Sequence, residues 1–351
     1  MARVGNAMTR RLLLVADSRN GGLGEIAVSH ARWFASRGWT VTLAAAHEND
    51  VEGVRCAPLR LPATVADTSG MRRAVDDIAF LLRSTRPDVV HCHGLRCFLA
   101  TRIAGAPAFL TVHGAGVEHP GRTWAARRLR RALARIAAAA ARELFVVAPG
   151  LTAKGRFLPH ASPRLAGLDV IPWAAPADPT FLWIGRLEAP KRPDVFIDAI
   201  ATASQTKPVV GVVAGSGPLE AAMRERARAA GALIQFLGHS DDLRPVLART
   251  HAVVLASESE GLPLALQEAM WTGRSVVVSD LPGPRWLVGD TGVLATTTAG
   301  FAHAVVNLSD HRLARRLGDA AAQRVRTLIA PHDPWRTVEQ QYLQGDVASR
   351  G

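Results

Sequence analysis

One tyrosine, three cysteines and three lysines are all that this chain of 351 residues has of those types. Cys56, Cys92 and Cys97 are odd in number and confined to the first half, so no disulfide framework is indicated and a reducing cytoplasm is the expected compartment. A single tyrosine and ten scattered phenylalanines provide no stacking platform for nucleic-acid bases. Nucleic acid is therefore not an expected partner, although the sequence pI is about 11.1. No stretch reaches the ~18 uninterrupted apolar residues of a membrane span. The basic segment Met1 to Arg11 precedes an apolar run of five residues, Leu12 to Ala16, which is too short for a signal peptide and reads as a first strand.

The rest of the composition is that of a folded protein, 48% apolar and 21% charged. Its length suits two domains of about 150 to 180 residues each. Short apolar runs alternate with helix-like segments. Leu12 to Ala16, Thr40 to Ala45, Val89 to Cys92, Ala108 to Val112 and Leu144 to Val147 read as strands, separated by helices such as Glu25 to Ser36, Met71 to Ser84 and Trp124 to Ala141. Such alternation predicts an α/β fold with a doubly wound parallel sheet. Pro172, Pro176 and Pro179 mark a stiff connection, and the pattern restarts with Thr180 to Ile184, Val209 to Ala214, Leu233 to Leu237, Ala252 to Ala256 and Ser275 to Ser279. The expected domains are 1–172 and 173–330, with a last helix in 331–351 after Pro331 and Pro334.

The most informative segment is Glu260-Gly261-Leu262-Pro263-Leu264, with Glu268 following. Pro263 suits a first helical position, which makes Leu262 the expected cap. Leucine cannot satisfy the first-turn N–H groups, so these are left for an anion. At about 1.5 Å rise per residue, Glu268 stands roughly 7 to 8 Å along the axis from Pro263, with Glu260 on the loop at the other end. Ionised glutamates only accept hydrogen bonds, so the pair suits hydroxyls on either side of a diphosphate, as in a nucleotide sugar. The flanking strands put this loop at the carboxyl end of a parallel sheet, where open α/β sheets bind ligands.

Ser257 through Glu268, with Ala269-Met270 and Gly273, resembles the E-x7-E segment of the retaining glycosyltransferases of family 4 (group 1). Gly185-Arg186-Leu187 with Lys191 matches a second motif of that family. The resemblance implies a GT-B fold, in which two Rossmann-like domains face each other across a cleft. It implies that Arg186 and Lys191 bind the donor diphosphate, that Glu260 orients the sugar and that Glu268 holds the ribose. It also implies that His113 contacts the donor sugar and that the last helix packs back on the first domain. Weaker matches are the glycine-rich loop Asn20 to Glu25, including Gly22, the strand ends at His91 to Gly94 and His113-Gly114, and the base-side loops at Gly215, Gly217 and Gly238. Two segments depart from the family pattern: Ile171-Pro172-Trp173-Ala174-Ala175 after the interdomain strand, and Pro282-Gly283-Pro284-Arg285-Trp286 where the family has Gly-Gly-x-Pro-Glu.

The implied activity is transfer of a sugar from a nucleoside-diphosphate donor to an acceptor hydroxyl with retention, needing neither a cofactor nor a metal. His91 and His93 share one strand face, but no further ligand stands at metal-site spacing in sequence. The alternatives are a GT-B sugar-nucleotide epimerase or phosphorylase, a basic nucleic-acid-binding protein, which the scarcity of aromatics argues against, and an NAD(P)-dependent oxidoreductase. Gly22 to Ala27 matches G-x-G-x-x-A, with Glu48 after the second strand, but five residues separate the motif from the first strand, where a dinucleotide turn follows almost at once. Net charge is +12, and all of it falls in residues 1–172, with 24 basic against 12 acidic residues. Arg122 to Arg142 reads as an amphipathic basic helix, with Leu129, Leu133, Ile136 and Ala140 on one face and Arg127, Arg128, Arg130, Arg131 and Arg135 around it. The resemblance implies that this half receives the acceptor, so the expected acceptor is anionic or lipid-linked, with peripheral contact to an anionic membrane surface.

Overall fold

The computed structural model describes residues 9–17, 21–46, 50–62, 67–114, 124–152, 154–174, 178–240, 242–330 and 332–348. Expectations placed on Asn20, Glu48, Arg122, Pro176 and Pro331, and on the side chains of Arg127, Leu129, Arg130 and Arg131, lie outside the described residues.

Among the described residues, thirteen strands form two sheets, every named strand pair being parallel. The first sheet holds β1 (Arg11–Ala16), β2 (Thr40–Ala45), β3 (Arg55–Pro58), β4 (Val89–His93), β5 (Phe109–Val112), β6 (Leu144–Val146) and β7 (Arg156–Phe157). Its order is β3-β2-β1-β4-β5-β6-β7. The second holds β8 (Thr180–Ile184), β9 (Val210–Ala214), β10 (Ile234–Gly238), β11 (Ala252–Leu255), β12 (Ser275–Ser279) and β13 (Val293–Ala295). Its order is β10-β9-β8-β11-β12-β13. Each sheet runs outward in both directions from a central strand, so the chain reverses direction of travel at β1/β4 and at β8/β11. Such switch points open crevices at the carboxyl ends.

Helices cover both faces of each sheet, which is why the central strands are apolar throughout rather than alternating. Leu12, Leu13, Leu14, Val15 and Ala16 are all buried, as are Val253, Val254, Val276 and Val277. The last helix, Pro334–Ala348, lies against the first sheet: Trp335, Val338 and Tyr342 join the core built from Leu14, Ile26, Phe34 and Phe145.

The helix after β11 begins one residue later than the sequence suggests. Pro263 is the cap, its ψ of 124° being extended, and the helix is Leu264–Trp271. Leu262 is therefore the residue before the cap. The consequence for the first turn is unchanged, because Pro263 makes no side-chain capping hydrogen bond either.

Candidate active site

The carboxyl ends of both sheets open on one cavity of about 980 Å³. From the first sheet it is reached by Asp17 after β1, Gly94 after β4 and His113 after β5. From the second it is reached by Gly185 and Arg186 after β8, Gly215 after β9, His239 after β10 and Glu260 after β11. Gly22, Gly261, Leu262, Pro263, Leu264, Lys191 and Glu268 also line it. Of the residues singled out from sequence, Gly217, Gly238, His91 and His93 do not. The role of Gly217 is local, since a side chain there would sit 2.6 Å from the Leu187 carbonyl oxygen.

Two helix N-termini converge on this cavity. The first-domain helix Gly21–Ser36 starts directly at the cleft, and a Cβ on Gly22 would lie 3.4 Å from Leu264 at the start of helix Leu264–Trp271. A Cβ on Gly21 would lie 3.8 Å from Nε of Arg186. The main chains themselves touch at Gly261, where an added Cβ would be 1.7 Å from the His113 carbonyl oxygen. Gly261 therefore owes its identity to close approach of the two domains.

The cations are held by carboxylates. Arg186, 60% exposed, reaches Glu188 at 3.1 Å. Lys191 Nζ donates to Glu260 Oε1 at 2.5 Å, and the Ser257 hydroxyl donates to the same oxygen at 2.7 Å. Glu260 is thus a fixed, mostly buried carboxylate with a cation on one side.

Glu268 is buried and accepts a 2.6 Å hydrogen bond from Ser162. Arg164 lies 3.9 Å away and donates to Glu25 at 2.7 Å, tying the helix Gly21–Ser36 to this corner. Burial holds the Glu268 carboxyl above its ordinary range, against the opposing pull of Ser162 and Arg164. Neighbouring Gln267 accepts from the Ser162 amide and donates to the His160 carbonyl oxygen, so the helix carrying Glu268 is clamped to segment 160–162.

Behind His113 lies a cluster of histidines. His91 and His93 do share one face, with ring centroids 4.9 Å apart, and the fold adds a neighbour that sequence spacing hid. His30, from helix Gly21–Ser36, places its Nδ1 2.9 Å from His93 Nε2. The three offer ligand atoms within 4.8 Å of one another. All six of their ring nitrogens, however, already have hydrogen-bond partners. His30 bonds His93 and Tyr342, His91 bonds Thr111 and Tyr342, and His93 bonds His30 and His113. Burial drives the pKa of each well below 6.5, to about 3 for His91. They are neutral imidazoles.

His160 went unrecognised in the sequence. It is 2% exposed, lines the cavity and stacks on Trp335, with ring centroids 4.7 Å apart. Neither of its ring nitrogens has a partner among the described residues.

Two parallel-sheet α/β domains closing on a shared crevice define the GT-B class of fold. The solved sucrose-phosphate synthase of Thermosynechococcus elongatus superimposes with a TM-score of 0.79 over 97% of this chain and 100% of its own, at 20% identity. The Anabaena protein HepE, solved in complex with UDP-glucose, gives 0.72 over 96% and 99%, at 15% identity. The family model described as Glycosyltransferase Family 4 matches residues 20–154, and that described as Glycosyl transferases group 1 matches residues 178–311. The chain belongs to the group 1 glycosyltransferases. A curated relative is the GalNAc-α-(1→4)-GalNAc-α-(1→3)-diNAcBac-PP-undecaprenol α-1,4-N-acetyl-D-galactosaminyltransferase of Campylobacter jejuni. It is 30% identical over 92 residues, and the match covers 26% of each chain.

Proposed function

We propose that this chain transfers a sugar from a nucleoside-diphosphate donor to an acceptor hydroxyl with retention of anomeric configuration. The observation that carries the reading is the meeting of two helix N-termini, at Gly21–Gly22 and Leu264, in one cavity that Arg186, Lys191, Glu260 and Glu268 also line. Free first-turn amides and fixed cations favour a diphosphate, and they favour it more as the sugar leaves and negative charge grows. Glu268, beside Ser162, takes the ribose hydroxyls. Glu260, held by Lys191 and Ser257, orients the sugar and supports positive charge on it. On this reading the departing phosphate takes the proton of the acceptor hydroxyl on the same face, and the two cations fill the place a divalent ion has elsewhere. The HepE complex with UDP-glucose supports a nucleotide sugar as donor.

The acceptor is proposed to be anionic or lipid-linked. The +12 excess on residues 1–172 supports this, as does the PP-undecaprenol acceptor in the name of the Campylobacter relative. No helix among the described residues is long and apolar enough to cross a membrane. Contact with a bilayer would therefore be peripheral, and co-sedimentation with anionic but not neutral vesicles tests it. The test of the reaction itself is NMR of the first product formed, in which the new anomeric proton keeps the donor's configuration. An inverted product, or no product from any nucleotide sugar, overturns the reading.

A further inference from the structure

One buried hydrogen-bonded chain runs from the core of the first domain to the cleft. Thr111 Oγ1 lies 2.7 Å from His91 Nε2, and His91 Nδ1 lies 2.6 Å from the Tyr342 hydroxyl. That hydroxyl is 3.2 Å from His30 Nε2, and His30 Nδ1 is 2.9 Å from His93 Nε2. His93 Nδ1 is 2.7 Å from His113 Nε2. His113 lines the cavity, and with Nε2 committed to His93 its remaining ring nitrogen, Nδ1, is the one left for a ligand.

The chain has a sense. A neutral imidazole carries one N–H, so it donates on one side and accepts on the other. The direction of any one ring–ring link therefore fixes its neighbours; the Tyr342 hydroxyl could accept from both His91 and His30, but that would leave its own buried proton without a partner, so only two arrangements satisfy every ring and that hydroxyl. In the outward one, Thr111 donates to His91, His91 to Tyr342, Tyr342 to His30, His30 to His93 and His93 to His113. All four histidines are then Nδ1–H tautomers. In the inward one all four are Nε2–H, and His91 donates to Thr111.

The inner end breaks the tie. The Thr111 side chain is fully buried, and its hydroxyl has His91 as its one acceptor among the described residues. Inward polarity would leave that hydroxyl proton buried without a partner, whereas outward polarity uses it. We infer that the chain Thr111–His91–Tyr342–His30–His93–His113 is polarised outward, so that His113 turns an Nδ1–H donor, not a lone pair, toward the cleft.

This deepens the proposed function and rests on it for the ligand's identity. His113 recognises an acceptor oxygen of the bound sugar or phosphate, and it cannot take a proton through the nitrogen that faces the ligand. Tyr342, His30 and His93 are positioning residues acting through His113, and one of them comes from the last helix, 251 residues from its His91 partner.

The test is a long-range 1H–15N correlation spectrum of the uniformly 15N-labelled, ligand-free protein at pH 7, in which the two neutral tautomers and the imidazolium give distinct patterns. The expected result is Nδ1–H at His30, His91, His93 and His113 alike. An Nε2–H or protonated ring at any of the four overturns the inference. Tyr342→Phe, which cuts the chain and leaves the rings packed, tests transmission: Nε2–H signals should then appear at His93 and His113. If both stay purely Nδ1–H in that variant, the bias does not pass through Tyr342 and the relay is refuted. Because the spectra need no nucleotide, their outcome is separate from that of the donor assignment.

Discussion

Acidification should unfold the first domain well before the second. His30, His91, His93 and His160 are each at most 2% exposed, and burial lowers every one of their pKa values, to about 3 for His91. The ordinary value is 6.5. A depressed folded-state pKa means that the unfolded chain binds protons the native one refuses. The stability is then fully present above pH 6.5 and is lost as pH falls toward the folded values. At pH 5.5, one unit below the unfolded pKa, each such histidine costs about 1.4 kcal/mol. Four of them amount to about 6 kcal/mol, comparable with the roughly 5 to 15 kcal/mol that holds a domain folded. All four pack around the first sheet, whereas the second domain has one comparable group, His251, lowered to about 4. Hydrogen exchange at pH 7.5 and 5.5, corrected for intrinsic rates, should show protection collapsing in β1 and β4 and surviving in β8 and β11. Equal protection in β1 and β4 at both pH values would refute the reasoning.

Three substitutions probe the cleft. Gly261→Ala puts a Cβ 1.7 Å from the His113 carbonyl oxygen, so the backbones must part by at least 1.3 Å to reach 3.0 Å. A displacement of about 1 Å costs on the order of 100-fold in rate, and initial-rate kinetics should show that loss, whereas Gly167→Ala, which meets nothing within 4 Å, should be silent. Arg186→Ala removes an exposed cation paired only with Glu188 among the described residues, so the melting temperature should hold while kcat falls about 100- to 1000-fold; unchanged turnover would dismiss Arg186 from the diphosphate site. Glu268→Gln keeps an acceptor for Ser162 and removes a charge that burial disfavours. Because the folded pKa of Glu268 is raised, its contribution to stability is present below the ordinary carboxylate value and lost as pH rises through the folded one. The variant should therefore melt higher at pH 7.5, with the gap closing toward pH 4, and bind nucleotide more weakly by about 1.5 to 3 kcal/mol, read by calorimetry.

The sequence exposes what is local. The central strands are legible because burial on both faces leaves an unbroken apolar run, as in Leu12 to Ala16. Edge strands carry no such signal: β3 is Arg-Cys-Ala-Pro, and β7 is two exposed residues. In the site, Glu260 and Glu268 stand out by their spacing across one loop and one helix, and Arg186 and Lys191, on the separate loop after β8, by their resemblance to a family motif. What remained hidden depends on contacts distant in sequence. Ser162 and Gln267 meet across 105 positions, and His30 reaches His93 across 63. The one available hint was compositional, seven histidines in residues 1–172, five of which (His30, His91, His93, His113 and His160) gather behind the cleft, and a solitary tyrosine, Tyr342, in the last helix. The shift of the helix cap from Leu262 to Pro263 has a backbone cause, because proline fixes φ and leaves ψ free to be extended.

The most direct measurement is calorimetric titration of the protein with UDP, GDP and dTDP, alongside Arg186→Ala. At least one nucleoside diphosphate should bind the wild-type chain, and a ligand held at 100 times its Kd should raise stability by about 2.7 kcal/mol. The variant should bind that nucleotide more weakly. Absence of binding by all three at millimolar concentration would contradict the claim that two helix N-termini and two cations form a diphosphate seat.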